Sequence, residues 1–245
     1  MNALGRILRR ERELSGLTQM ELGQRLGIWK KPAQRIFQWE SGYRRPRSAA
    51  VEAMERIFGL APGTVIAEAQ QTEREDLIME QMMETILARR STRSYQNRPV
   101  EKEKLEKLLQ AAIHGPSAIN LQPWVYTVLN RKTRDDLVAG MGDDIFYGAP
   151  TVVMVSCDKN NIWSPIDCGL SGENFLLMAQ ALGLGTCLIG CMREFLATPA
   201  GRDIIARLKL PENYGPLYAI AVGYPDGKSN ARPRDESKVV WMEES

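Results

Sequence analysis

The chain is poor in the groups that most often carry metal and acid–base chemistry. Its 245 residues contain one histidine, His114, and four cysteines, Cys157, Cys168, Cys187 and Cys191. No two cysteines stand as a CxxC pair and His114 lies far from them in sequence, which argues against a zinc site or an iron–sulfur cluster. No metal is expected, and the thiols read as free, buried groups in a reducing compartment. No run approaches the roughly 18 consecutive apolar residues of a membrane span, so no membrane partner is expected. The start, MNALGRILRRERELSG, lacks the apolar stretch and small-residue cleavage site of a secretory leader, which makes the cytoplasm the expected location. No Ser/His/Asp constellation is evident, and His114 reads as a loop or capping residue rather than a catalytic base.

What is present is an ordinary globular balance, 44% hydrophobic and 25% charged, with an uneven charge distribution. Residues 1–70 hold 12 Lys and Arg against 7 Asp and Glu, whereas the remaining 175 hold 20 against 23. A small basic module ahead of a slightly acidic body suggests that only the front meets a polyanion.

Apolar spacing divides the chain further. Leu4, Ile7 and Leu8 set a first helix, and Thr18 before Gln19 and Glu21 caps a second that ends at Gly27. A third helix runs from about Lys31 to Trp39, and a fourth from Ala49 to Phe58, after the basic turn SGYRRPR at 41–47. The polar stretch AEAQQTERED, 67–76, reads as a linker or as the exposed start of the next helix, which carries Leu77, Ile78, Met82, Ile86 and Leu87. The expected division is a domain at 1–68, a linker or helix start at 69–78, and a second domain at 79–245. In the latter, helices alternate with strands. Glu103–Ile113 and Leu170–Leu182 read as helical, Trp124–Leu129 as a short strand, and TVVMVS (151–156) and LYAIAV (217–222) as buried strands. The fold class is α+β, with a three-layer α/β/α body behind a small all-helical head.

The pieces LTQMELGQRLG (17–27) and WESGYRRPR (39–47), with the helix ending at Phe58-Gly59-Leu60, resemble the Cro/repressor type of helix-turn-helix domain over residues 4–60. The resemblance implies that one helix props the next in the major groove of duplex DNA. The chain departs from the common pattern by about three extra residues in IWKKP, where Pro32 can still occupy the first turn of a recognition helix over 32–38. Gln19, Lys30, Lys31, Gln34, Arg35 and Gln38 are the outward candidates, with Arg44, Arg45 and Arg47 as backbone contacts. Trp39 and Glu40 read as core and capping residues. A helical cap or dimerisation appendage with a solvated basic face is the competing reading of this head.

Three segments of the body carry polar chemistry. Arg89-Arg90-Ser91-Thr92-Arg93 clusters guanidinium forks and a hydroxyl, which suits a phosphate. The loop from His114 to Trp124 is fixed by Gly115, Pro116 and Pro123 and presents Ser117, Asn120 and Gln122, groups that can hydrogen-bond the edge of a planar heterocycle. Asp167–Asn174, followed by the glycine-spaced run from Ala181 to Gly190, offers backbone that a flat ligand can approach closely. In this order, with GAPTVVMV at 148–155 and AVGYPDG at 221–227, the segments resemble the nitroreductase family of FMN-dependent oxidoreductases over residues 83–240. The resemblance implies that Arg89, Arg90, Ser91 and Arg93 meet the phosphate and ribityl chain, with Arg232 or Arg234 also reaching the phosphate. It implies that Pro116, Ser117 and Asn120, with Gln122 a further addition, lie at the flavin, and that the main chain of Leu188, Ile189 and Gly190 approaches the ring. It also implies a homodimer with FMN at the interface, to which the apolar stretch Phe175–Leu182 would contribute. The expected chemistry is ping-pong transfer from NADH or NADPH to a small acceptor such as a nitroaromatic or quinone. The short connection between Leu129 and Val152 leaves a second expectation open, a flavin- or redox-responsive transcriptional regulator with little turnover.

Overall fold

The computed structural model describes residues 2–227 and 230–242, and the outer ends of the expected domains, Met1 and Ser245, lie outside them. The chain divides into two compact units, Met1–Glu84 and Thr85–Ser245.

The head is helical throughout: α1 Ala3–Leu14, α2 Gln19–Arg25, α3 Pro32–Glu40, α4 Ser48–Phe58 and the first part of α5, Thr64–Ala88. Leu4, Ile7, Leu8, Leu22, Ile36, Trp39, Val51 and Met54 form its core, as the helical spacing requires. A capping box starts α2. The Glu21 amide donates to Thr18 Oγ1 at 3.2 Å, and the Thr18 amide donates to the Glu21 carboxylate at 2.8 Å. Pro32 begins α3 directly over Gly23, where a Cβ would lie 2.5 Å from the proline ring. The inserted turn is therefore absorbed by a missing side chain on α2, and Lys31 before it takes a left-handed φ of 52°. Glu40 is buried and accepts from the Arg12 guanidinium at 2.5 Å and from Gln19 Nε2 at 2.8 Å.

Residues 69–78 form neither a loop nor the first turn of a helix, because α5 runs through them unbroken. The reason lies outside the local sequence. Arg10 holds Glu68 at 2.6 Å and Arg6 holds Asp76 at 2.8 Å, so the polar face is tied to α1.

The body contains α6 Lys102–Ile113, β1 Trp124–Val128, α7 Arg131–Met141, β2 Thr151–Asp158, α8 Ser164–Ala181, β3 Gly185–Ile189, α9 Arg193–Leu196, α10 Pro199–Arg207 and β4 Tyr214–Gly223. The strands form one antiparallel sheet in the order β1-β2-β4-β3. Alternation along the central strands supplies two cores. Val153, Val155, Tyr218, Ile220 and Val222 pack with Leu108, Phe175 and Ala179 of α6 and α8. Val152, Met154, Ala219 and Ala221 pack with Leu137, Leu196 and Ile204 of α7, α9 and α10. The result is the expected α/β/α sandwich.

Three local expectations are corrected. Helix α8 starts at Ser164 rather than Leu170, because Pro165 occupies its first turn, where a missing amide costs nothing. Gly185–Ile189 is an edge strand rather than a loop. Phe175, Leu176 and Ala179 face the chain's own core and are not available to a partner. Gly172 is a packing residue, since a Cβ there would lie 2.2 Å from the Tyr218 hydroxyl.

Candidate functional site

Backbone pairing builds the site. As the chain leaves α5, the Thr92 amide donates to the Thr186 carbonyl at 2.8 Å, laying the arginine segment along the free edge of β3. Gly185 is required by this docking, because a Cβ there would lie 2.4 Å from Thr92 Oγ1. That glycine therefore makes room for Thr92 rather than for a ligand. Tyr95 fixes the segment from below, donating to the Thr92 carbonyl at 2.9 Å and reaching the Ala221 carbonyl at 3.3 Å. Its burial pushes the phenol pKa well above the ordinary value, so the hydroxyl stays a donor.

The turn after β4 completes the cleft. The Gln96 amide donates to Tyr224 and the Asp226 amide to Ser94, both at 2.9 Å. This pairing brings the late arginines over the early ones. The cleft has a volume of about 630 Å³, and Arg89, Arg90, Ser91, Arg93, Arg232 and Arg234 all line it. Both late arginines, Arg232 and Arg234, are among the lining residues. Thr92, Ser94, Asp226 and Asn230 also line the cleft and were not singled out from sequence. Their signal was the YPDG turn, whose partner strand cannot be read locally.

The arginines are not equivalent. Arg89 Nε is 3.2 Å from Glu173 of α8. Arg90 folds back on the end of α5, donating to the carbonyls of Leu87 at 2.5 Å and Arg89 at 2.7 Å. Arg93 is exposed, and its guanidinium lies 5.9 Å from the Tyr147 ring. Five guanidinium groups against one lining carboxylate, Asp226, make a strong anion cradle with fork geometry suited to a phosphate monoester. Along β3 the carbonyl of Thr186 points to the outer edge, so by strand alternation the amide and carbonyl of Leu188 face the same way. The Leu188 side chain is exposed and that of Ile189 buried, while a Cβ on Gly190 would meet nothing within 4 Å.

Pro116, Ser117, Asn120 and Gln122 do not line the arginine cleft. Their loop enters β1, at the opposite edge of the sheet from β3. It is a strained loop, with left-handed φ at Ile119 (44°), Asn120 (59°) and Gln122 (49°), of which that of the β-branched Ile119 is the most unusual. Ser117 Oγ accepts from the Gln122 amide at 3.0 Å, Asn120 Oδ1 accepts from Gln122 Nε2 at 3.1 Å, and Asp167 accepts from the Ala118 amide at 3.1 Å. Ile119, at its tip, is 90% exposed. His114 Nδ1 lies 2.7 Å from the Gln110 carbonyl at the end of α6, a capping position.

In the head, Lys30, Lys31, Gln34, Arg35, Arg44, Arg45 and Arg47 are exposed and Gln38 is half-buried. Gln19 differs from them, since its amide is held by Glu40 inside the head. Trp39 and Glu40 are buried.

An antiparallel sheet between two helical layers, with an arginine-lined cleft at one edge strand, defines an anion-binding α/β/α protein with an N-terminal all-helical domain. The chain belongs to the nitroreductase family, whose model it matches over residues 86–141 and 139–224, and its head matches the helix-turn-helix model over 8–65. An NADH dehydrogenase of Thermus thermophilus is 34% identical over 190 residues, covering 63% of this chain and 93% of that protein. Among solved structures, a nitroreductase with bound FMN from Bacteroides fragilis superposes with a TM-score of 0.61 at 26% identity, covering 66% of this chain and 98% of the other. The NADPH:FMN oxidoreductase of Vibrio harveyi, complexed with NAD+, gives 0.59 at 25% identity, with coverage of 66% and 76%.

Proposed function

We propose that the protein is an FMN-dependent NAD(P)H oxidoreductase with a DNA-binding head, acting in the cytoplasm on a small acceptor such as a nitroaromatic or a quinone. The observation that carries this is the cradle formed by Arg89, Arg90, Arg93, Arg232 and Arg234 beside the outward-facing edge of β3. The residues fit the cofactor. Guanidinium forks and Ser91 meet a phosphate monoester, and the Leu188 backbone offers polar groups to a planar ring lying on the edge strand. Bound FMN would supply two-electron transfer between a nicotinamide nucleotide and the acceptor. Arg93, which has no carboxylate partner among the described residues, would hold the phosphate most directly, and Arg89 would exchange Glu173 for it. Ser117, Asn120 and Gln122 would complete the site from a second subunit. Their separation from the cleft within one chain supports that reading, as do the strained, exposed tip at Ile119 and the exposed apolar side chains Trp163, Ile166 and Leu170 along α8. A homodimer would also present two heads to a two-fold DNA site, with Gln34, Arg35 and Gln38 toward base edges.

The second reading, a flavin-responsive regulator with little turnover, is favoured by the short connection between β1 and β2, which holds only α7 and a turn. Anaerobic stopped-flow bleaching of the FMN-loaded protein by NADH and NADPH decides between them. Rapid loss of the flavin absorbance and its return on adding a quinone are expected of the enzyme. Flavin that stays oxidised leaves the regulator.

A further inference from the structure

A second cavity of the body, about 470 Å³, lies at the other end of β4 from the arginine cleft. Gly215 and Leu217 line it at the start of that strand, whereas Asp226 and Gly227 line the cleft beyond its end. Eight residue steps along the strand from Gly215 to Gly223 put roughly 25 Å between the two. The volume falls in the range that holds a small organic molecule.

Two of its lining groups are cations. Lys159, in the turn after β2, and Arg193, the first residue of α9, both line it, and neither has a carboxylate partner among the described residues. The Lys159 side chain lies across Gly215, where a Cβ would come within 2.5 Å of the ammonium nitrogen. The missing side chain is therefore what lets this charge reach the cavity. Asn161 adds a fixed donor. Its Oδ1 accepts from the Trp163 amide at 3.0 Å, which sets the orientation of the side chain. Nδ2 is then left buried with no hydrogen-bond partner, a position that costs free energy until an acceptor arrives. The one acidic group of the lining, Asp158, already accepts from the Asn160 amide at 2.9 Å. Two cations against one carboxylate favour a monoanion over a phosphate dianion. Ile162, Leu196, Ile205 and Leu217 supply apolar wall.

We propose that this cavity binds a small monocarboxylate with an apolar body, an accessory ligand site separate from the flavin cleft. The carboxylate accepts from Lys159, Arg193 and Asn161 Nδ2 while the body of the molecule lies against the aliphatic wall. Such a ligand bridges the turn after β2 and the start of α9, which both line the cavity. This proposal does not depend on turnover at the flavin.

The test is fluorine NMR of 4-fluorobenzoate titrated against the full-length, FMN-loaded protein, with 4-fluorobenzamide as the uncharged control. The expected result is saturable binding of the acid, with binding about tenfold weaker for the amide, for Lys159→Met combined with Arg193→Gln, and for Asn161→Ala, as loss of a charge-assisted hydrogen bond implies. Lys159 and Arg193 are exposed, so the double variant keeps its fold, which retained FMN content verifies. The proposal is overturned by no saturation at millimolar acid, by undiminished binding in the double variant, or by displacement of the acid by a quinone, which would put it over the flavin. Equal competition by inorganic phosphate also overturns it, showing an unselective cationic patch.

Discussion

The head and the body treat charge in opposite ways. The head buries it: Arg12, Glu40 and Glu55 are all less than a tenth exposed. Arg12 donates to Glu40 and to the Leu17 carbonyl, while Glu55 accepts from the amides of Gly63 and Val65, both at 2.8 Å. Among the described residues, the body buries hydroxyls and the carboxylate of Asp167, and sets five arginines around a cleft. A helical domain of this size has little apolar area with which to specify one packing, so buried polar ties fix how its helices meet. The sheet of the body is specified by alternation and register, which leaves its charges free for a ligand. Removing a charge should therefore unfold the head locally but only empty the body.

The largest effect is expected in the body. On the proposed function, Arg89→Ala with Arg93→Ala would remove two charge-assisted contacts to the phosphate, each worth about 1.5–3 kcal/mol. FMN affinity should fall by about a hundredfold or more, read by flavin fluorescence on titration, with circular dichroism unchanged. Undiminished affinity would dismiss their phosphate role. Arg93→Ala should contribute the larger share, because Arg89 already has Glu173.

In the head, Glu40→Ala leaves Arg12 buried without its partner, a loss of about 3–5 kcal/mol. Hydrogen exchange resolved by segment should show α1–α3 losing protection while β2 and β4 keep theirs, with FMN content unchanged. Arg12→Met combined with Glu40→Leu should recover much of the loss, since an apolar pair of similar volume removes the stranded charge. Equal loss of protection in both units would break the comparison.

A charge on the outside of the head should behave like one in the body. Arg35 is exposed on α3, so Arg35→Ala should leave exchange unchanged and cost about 1–3 kcal/mol of sequence discrimination on duplex DNA. Arg44→Ala should instead weaken binding to all sequences alike and reduce the salt slope by about one. Gel-shift titrations at several salt concentrations separate the two.

These cases also show what was legible in the sequence. Helices α1–α4 and the strands β1, β2 and β4 follow from local periodicity and turn residues, and the arginine cluster from composition alone. Long-range pairing was not legible. Nothing near Glu68 or Asp76 announces Arg10 and Arg6, so the continuity of α5 was invisible. The five residues of β3, bounded by glycines, look like a loop until β4 pairs with them. Asp226 joins the site because Ser94–Gln96 finds the YPDG turn, and Thr92 because its amide pairs with Thr186 of β3. The ion pair of Arg89 with Glu173, and the hold of Glu40 on Gln19, likewise join segments that local pattern cannot relate.

The smallest effect concerns the thiols, which occur only in the body. Cys191 is exposed, while Cys157, Cys168 and Cys187 are buried. Burial raises the pKa of all three, that of Cys168 from an ordinary 9.0 up to about 12, with the neighbouring Cys157 adding to it. One thiol per chain should therefore react quickly with a disulfide reagent at pH 8, and the other three only on unfolding. The linkage has a definite sign. Above pH 9 an unfolded chain gives up thiol protons that the folded body retains, so the stabilisation is complete below about pH 9 and is lost as pH rises toward 12. The head has no cysteine and should lack this loss. Segment-resolved exchange at pH 8 and pH 10, corrected for the intrinsic rate, should show β2 and α8 losing protection relative to α1–α4. Cys168→Ala should narrow that difference, and a head that weakens as much as the body would assign the alkaline loss to something other than thiols.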